Sequence, residues 1–179
     1  MTSDVVSWYG VVGEVEIPTV EADRIGAEIG FPGGYYLQFF QEDQFDGVYE
    51  NFGIGGGYRG FRPSEEAPIG VTLDASVGLV AGEASSISQE QTYIDSLISL
   101  GVAMDVPRWR PGAGVLVHWL TGTFESPGFS DGNISATNLG FFAGIDYVGA
   151  SPEEDPILFS VQFMFGDYSG LSISGGILF

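Results

Sequence analysis

Alternation of apolar and polar side chains along nearly the whole chain is the strongest constraint on its fold. Residues 69–81 show it most clearly. Ile69, Val71, Leu73, Ala75, Val77, Leu79 and Ala81 share one parity, and Gly70, Thr72, Asp74, Ser76 and Gly78 share the other. A strand turns successive side chains to opposite faces, so this period of two specifies a sheet with one apolar face and one polar face. Ten such segments are legible, over about 6–17, 22–31, 34–42, 47–60, 68–83, 91–105, 112–125, 136–149, 156–166 and 170–179.

The links between them are turn chemistry. Pro32-Gly33-Gly34 reads as a tight hairpin, Arg62–Glu66 and Ser151–Pro156 as polar links, Ser126–Asn133 as the longest loop, and Gly166–Gly170 as the last hairpin. None is long enough for a crossover helix, so successive strands are antiparallel neighbours. Thr92–Met104 has a helical alternative, but Ile94, Ile98, Leu100, Val102 and Met104 alternate against Asp95, Ser99, Gly101 and Ala103. The expected fold is all-β: an antiparallel up-and-down meander closed into a barrel of 8–10 strands, one domain over residues 1–179.

Charge and composition exclude several functions. The 24 acidic residues outweigh five bases, all of them arginine (24, 59, 62, 108, 110), for a net charge of −19. Such a chain repels nucleic-acid phosphates. Its self-repulsion is screened by salt, which suggests a halophilic, salt-rich setting. With no cysteine and a single histidine, His118, the chain has neither a disulfide framework nor a multi-histidine metal site, and no cofactor is expected. No apolar run reaches the roughly 18 residues of a membrane helix. Met1–Val6 does not read as a signal peptide, lacking a basic start and an apolar stretch.

Two architectures share the alternation. A soluble barrel or sandwich, secreted or virion-associated, turns the apolar face inward, to bind an apolar ligand or serve as an assembly subunit. A membrane barrel turns it toward lipid and lines a lumen with the polar face. Four features favour the membrane. The polar face is rich in Gly and Ser, which suit a crowded lumen better than a wet outer surface. Tyr9, Tyr35, Tyr58, Tyr147 and Phe179 gather on the apolar face at one barrel end, with Trp109 in a turn there, as an interfacial girdle would. Arg59, Arg62, Arg108 and Arg110 fall at that same end, and Glu42, Asp43, Asp46 and Asp131 fall in loops at the other. Most segments also meet the about 9–11 residues of a tilted membrane strand.

The final segment alternates Leu171, Ile173, Ile177 and Phe179 against Ser172, Ser174 and Gly176. In this the chain resembles small bacterial outer-membrane β-barrels of the general OmpA and opacity-protein type. The resemblance covers nearly the whole chain as a pattern. It implies an outer-membrane location, a lipid bilayer around the barrel, and recognition by the barrel-insertion machinery through Leu171, Ile173, Ile177 and Phe179. Gly175 departs from a strictly bulky pattern, and ten strands exceeds the commonest count of eight.

On this reading the polar candidates Glu14, Glu16, Arg24, Glu28, Arg59, Asp74, Asp95, His118 and Asp146 face the lumen. Arg24 is expected to pair with Glu14 and Glu16 across a turn at 17–22, because an isolated buried charge is very costly. Asp74, Asp95 and Asp146 are placed to share the lumen with His118; without a nucleophile motif this points to no catalytic residues. Asp131-Gly132-Asn133 reads as a turn rather than a calcium loop. Gly53–Gly57 precedes neither a helix nor a lysine, so it is no phosphate loop and is expected to permit strand curvature. The expected role is non-enzymatic: structural or adhesive, or porin-like passage of small solutes.

Overall fold

Every alternating segment becomes a strand. The computed structural model describes residues 2–12, 15–44, 48–63, 68–84, 89–106, 108–125, 132–149 and 157–177; within the strands, the side chains of residues 3, 7–12, 15–18, 63, 148, 149, 157, 158, 176 and 177 lie outside that description. The strands are β1 (Thr2–Val12), β2 (Val15–Gly30), β3 (Tyr35–Gln44), β4 (Tyr49–Pro63), β5 (Ile69–Ala84), β6 (Gln89–Met104), β7 (Trp109–Glu125), β8 (Gly132–Gly149), β9 (Ile157–Gly166) and β10 (Tyr168–Ile177). Each pairs antiparallel with its neighbour in sequence, and β1 with β10, so the sheet closes into a ten-stranded barrel of meander topology.

The first hairpin departs from expectation. β1 runs to Val12 and β2 starts at Val15, so residues 17–22, expected as a turn, are strand, and Pro18 does not end one here. Trp8 pairs with Val20 and Gly10 with Ile17, so Tyr9 alone faces Pro18 and Thr19. Two residues opposite one make a β-bulge, where the missing N–H of proline leaves no ladder bond unmade. On its other side β2 pairs with β3 only from Ala22 onward, so Pro18 has no partner to fail there either.

The apolar face is outside. Ile25, Phe52, Leu139 and Phe141 are each more than 60% exposed, and Ile54, Val71, Val77, Leu79, Leu100, Val102, Phe163 and Phe165 about half exposed. Apart from Ser96, the buried side chains of the described residues come from the opposite parity, among them Tyr36, Glu42, Asn51, Val80, Tyr93, Asp95, Leu116, His118, Leu120, Asn138, Phe142, Met164 and Tyr168. Lipid-side apolar and lumen-side polar is the membrane-barrel arrangement and the reverse of a soluble one.

The wall does not have the same number of strands throughout. The β9–β10 hairpin turns beside Gly140 of β8 and Trp8 of β1. Past its tip, β1 pairs directly with β8, Val11 with Ser135 and Val12 with Ile134. The end that carries the chain termini therefore has ten strands and the far end has eight. Following the register from Thr2 through Gly26, Phe40, Gly53, Val80, Tyr93, Gly122 and Ile134 returns to β1 at Val12. That displacement along β1 is the stagger that tilts the strands of a closed eight-stranded wall. The branch point needs glycine. A Cβ on Gly140 would stand 2.8 Å from the carbonyl oxygens of Phe165 and Tyr168, and Gly166 has a φ of +113°. The Asp167 N–H donates to the Leu139 carbonyl at 3.0 Å, fixing the hairpin tip to β8.

Candidate functional site in the barrel lumen

An eight-stranded barrel is just wide enough for its own side chains. The far half obeys this rule. Val6, Val20, Ala22, Val80, Tyr93, Leu120 and Ala136 are buried there and continue into Leu116, Phe142, Met164 and Tyr168 at mid-barrel, with Phe40, Leu97 and Ile134 packed against them. The inward face is thus not uniformly small and polar, as its glycines suggest. The glycines make room for rings. A Cβ on Gly53 would enter the Phe40 ring, one on Gly57 would meet Tyr36, and ones on Gly101 and Gly114 would stand 2.6 Å from Phe142. The Gly53–Gly57 run therefore admits the Phe40 and Tyr36 rings, a different role from the strand curvature expected of it.

Across this packed middle runs a charged and polar network. The Arg24 guanidinium on β2 donates to Glu42 on β3 and to Asp95 on β6, and its centre lies 5.1 Å from the Phe40 ring. Asp95 Oδ1 is 3.0 Å from His118 Nε2 on β7, and His118 Nδ1 is 3.2 Å from the Asn138 amide nitrogen on β8. The Asn138 amide N–H is placed to donate to Nδ1, and Nε2 faces the Asp95 carboxylate. The imidazole also stacks on Tyr168, ring centres 4.5 Å apart. Glu42 accepts from the Tyr93 hydroxyl, from Gln44 at 2.7 Å and from Asn51 at 3.4 Å. Gln91 donates to Asn51 at 2.8 Å and to Gln44 at 3.2 Å. Glu42, Asn51, His118 and Asn138 are wholly buried.

Arg24 thus pairs with Glu42 and Asp95. Of the two acids expected beside it, Glu14 lies outside the described residues, and Glu16 is on β2 with its side chain outside them. Glu42 is not a loop residue: β3 runs two residues past the expected end and keeps Glu42 on the inward parity. Asp46 and Asp131 lie outside the described residues, and Asp43 sits on β3 facing outward.

A second cluster lies toward the termini end. Arg59 Nε donates to Asp74 at 2.8 Å and its Nη1 to Glu28 at 3.2 Å, and Tyr36 donates its hydroxyl to Asp74 at 3.0 Å. The Arg59 side chain is 52% exposed, in contrast with 0% for Glu42 and His118 in the plug. Asp146 stands apart again, accepting from Ser160 at 2.7 Å. Of the three aspartates expected around His118, only Asp95 reaches it. The described residues contain no group of three or more His, Cys, Asp or Glu that could hold a metal.

The aromatic girdle is partly rearranged. Tyr35 and Tyr58 meet as tilted rings with centres 5.3 Å apart, and Trp109, the first residue of β7 rather than a turn residue, meets Tyr147 in the same way at 4.7 Å, all at the termini end. Tyr9 moves to the opposite end, because β1 begins at Thr2 and Tyr9 falls at the bulge near its finish. Phe179 lies outside the described residues.

The outward face carries a row of charge toward the far end. Asp23 pairs across the ladder with Asp43, Asp43 with Glu50, Glu50 with Glu83, Glu83 with Glu90, and Glu90 with Glu125. These six carboxylates form an unbroken row beyond the apolar band. Of the six, Asp43 and Glu90 lie beyond the expected ends of β3 and β6.

No protein-family model and no curated protein matches the chain. Among solved structures, it is similar to the beta domain of the Bordetella autotransporter BrkA at 13% identity, covering 98% of this chain and 83% of that one, with a TM-score of 0.46. It is also similar to the KdgM porin in complex with disordered oligogalacturonate, at 9% identity, 100% and 99% coverage and a TM-score of 0.34. A second KdgM porin structure aligns at 11% identity, 97% and 99% coverage and a TM-score of 0.31. The membrane reading is carried by the apolar exterior and not by these likenesses.

Proposed function

We propose that the chain is an outer-membrane β-barrel that acts as a closed structural scaffold, holding the turns of its far end outside the bilayer, without enzymatic activity. The observation that carries this is the sealed cross-section at Arg24, Glu42, Asp95, His118 and Asn138, framed by Tyr93, Phe142 and Tyr168. A path for solutes needs continuous water-lined space, and here the charged groups of the plug are each spent on another protein group. The Asp95–His118 pair is buried within that section, which supports a structural role for it over acid–base catalysis. On this reading the apolar band meets lipid. Leu171 and Ile173, on the outward parity of β10, would present the terminal strand to the insertion machinery together with Ile177 and Phe179.

The test is single-channel recording after insertion into a planar bilayer. The scaffold reading predicts no conductance steps from folded protein. Regular steps that persist at low voltage would support passage of small solutes instead.

A further inference from the structure

We propose that the termini half of the lumen is a one-ended aqueous vestibule that admits small hydrophilic cations from the termini side and passes nothing to the far end. This rests on the membrane-barrel reading above. The argument begins with strand count. The β9–β10 hairpin widens the wall to ten strands only on the termini side of Gly140 and Trp8, and beyond it the β1–β8 seam narrows the wall to eight. Interior volume grows with strand number, so the narrow part fills with side chains and the wide part does not.

Burial follows this geometry. On the far side of the hairpin tip the inward residues Val80, Tyr93, Leu120 and Ala136 are buried. On the termini side Tyr36, Ser99 and Ala103 are buried against the wall, but the inward residues Gln38, Arg59, Asp74, Ser160 and Gln162 retain exposure. A half-exposed, ion-paired arginine on an inward strand position needs water beside it, because dry burial of such charges is costly. The charge preference comes from the inward set at this end. Glu28, Asp74 and Asp146 outnumber Arg59 and Arg110. A low-dielectric wall focuses such an excess on whatever enters.

The chain has no cysteine, so single thiols report cleanly. Gln38→Cys and Gln162→Cys place one on opposite walls of the vestibule, and Leu120→Cys places one in the plug. Each full-length variant carries a protease-cleavable amino-terminal tag and is reconstituted into lipid vesicles. Membrane-impermeant thiosulfonates, one cationic and one anionic, are then added outside. Insertion is checked separately by heat-modifiable migration of each variant; failure there would count against the membrane-barrel reading itself.

For inserted protein, labelling at positions 38 and 162 should match the fraction of molecules whose tag is cleaved from outside. The cationic reagent should react at least about threefold faster than the anionic one at low salt, and this ratio should shrink as salt screens the field. Position 120 should stay unlabelled. Labelling of molecules in both orientations, protection of both vestibule thiols, or equal rates for the two reagents would each overturn the proposal.

Discussion

The ring of Phe40 on β3 occupies the space where a side chain of Gly53, its partner on β4, would stand. Phe40 in turn lies under the Arg24 guanidinium. Introducing Gly53→Val should therefore overpack the plug and destabilise the barrel by about 1–3 kcal/mol. Pairing it with Phe40→Ala should recover part of that loss. The check is a double-mutant cycle from urea unfolding in lipid vesicles, in which a coupling near zero would contradict the packing relationship.

Arg24 is the cation shared by the two buried carboxylates of the plug. Removing it leaves Glu42 and Asp95 facing one another without compensation, a change that typically costs about 3–5 kcal/mol. Arg24→Ala should lose stability on that scale. Arg24→Lys should recover little, since one ammonium cannot reproduce a fork that serves two strands at once. The triple variant Arg24→Met, Glu42→Gln, Asp95→Asn should be clearly more stable than Arg24→Ala. Denaturant midpoints for the three variants decide this.

The outward face should show the depth profile of a bilayer. Leu79→Arg, within the apolar band, should cost about 2–4 kcal/mol of folding free energy in vesicles. Thr123→Arg, outward on β7 and beside the carboxylate row, should cost close to nothing. Equal costs at the two positions would argue against lipid contact.

The row Asp23, Asp43, Glu50, Glu83, Glu90 and Glu125 sets like charges directly across five successive strand pairs. Each such pair is destabilising by a fraction of a kcal/mol, and salt screens it. Stability should accordingly rise with ionic strength. Glu83→Gln with Glu90→Gln should raise stability at low salt and flatten the dependence. A salt-independent unfolding midpoint would show that the row carries no strain.

Much of the architecture was legible because it is written in a period of two. The strand segments, the meander and the apolar parity of β5, β8 and β9 follow from alternation and turn chemistry; that this parity faces outward needed the glycines, the aromatics and the strand lengths as well. The first hairpin was not legible. Pro18 is a turn signal by composition, and only the bulge opposite Tyr9 shows how a strand tolerates it. The plug was half legible. Arg24, Asp95 and His118 stood out as charges on a polar face, but Glu42 sat at a strand end whose true limit depends on β4. Inward Tyr36, Phe40 and Phe142 hid among outward aromatics of the same strands. Their signal is the glycine directly across the ladder, as for Phe40 and Gly53 or Phe142 and Gly114. The joining of β1 to β8 had no sequence signal, because it depends on where the β9–β10 hairpin stops.

The most direct test is whether folding needs an apolar environment. The chain should be refolded in detergent micelles and, separately, in plain buffer, with each sample run on a semi-native gel before and after boiling. The account predicts a compact, faster-migrating band only with detergent, lost on boiling, and aggregation without it. A well-dispersed folded monomer in buffer alone would contradict the account, since an exterior that includes Phe52, Leu139 and Phe141 does not stay monomeric in water.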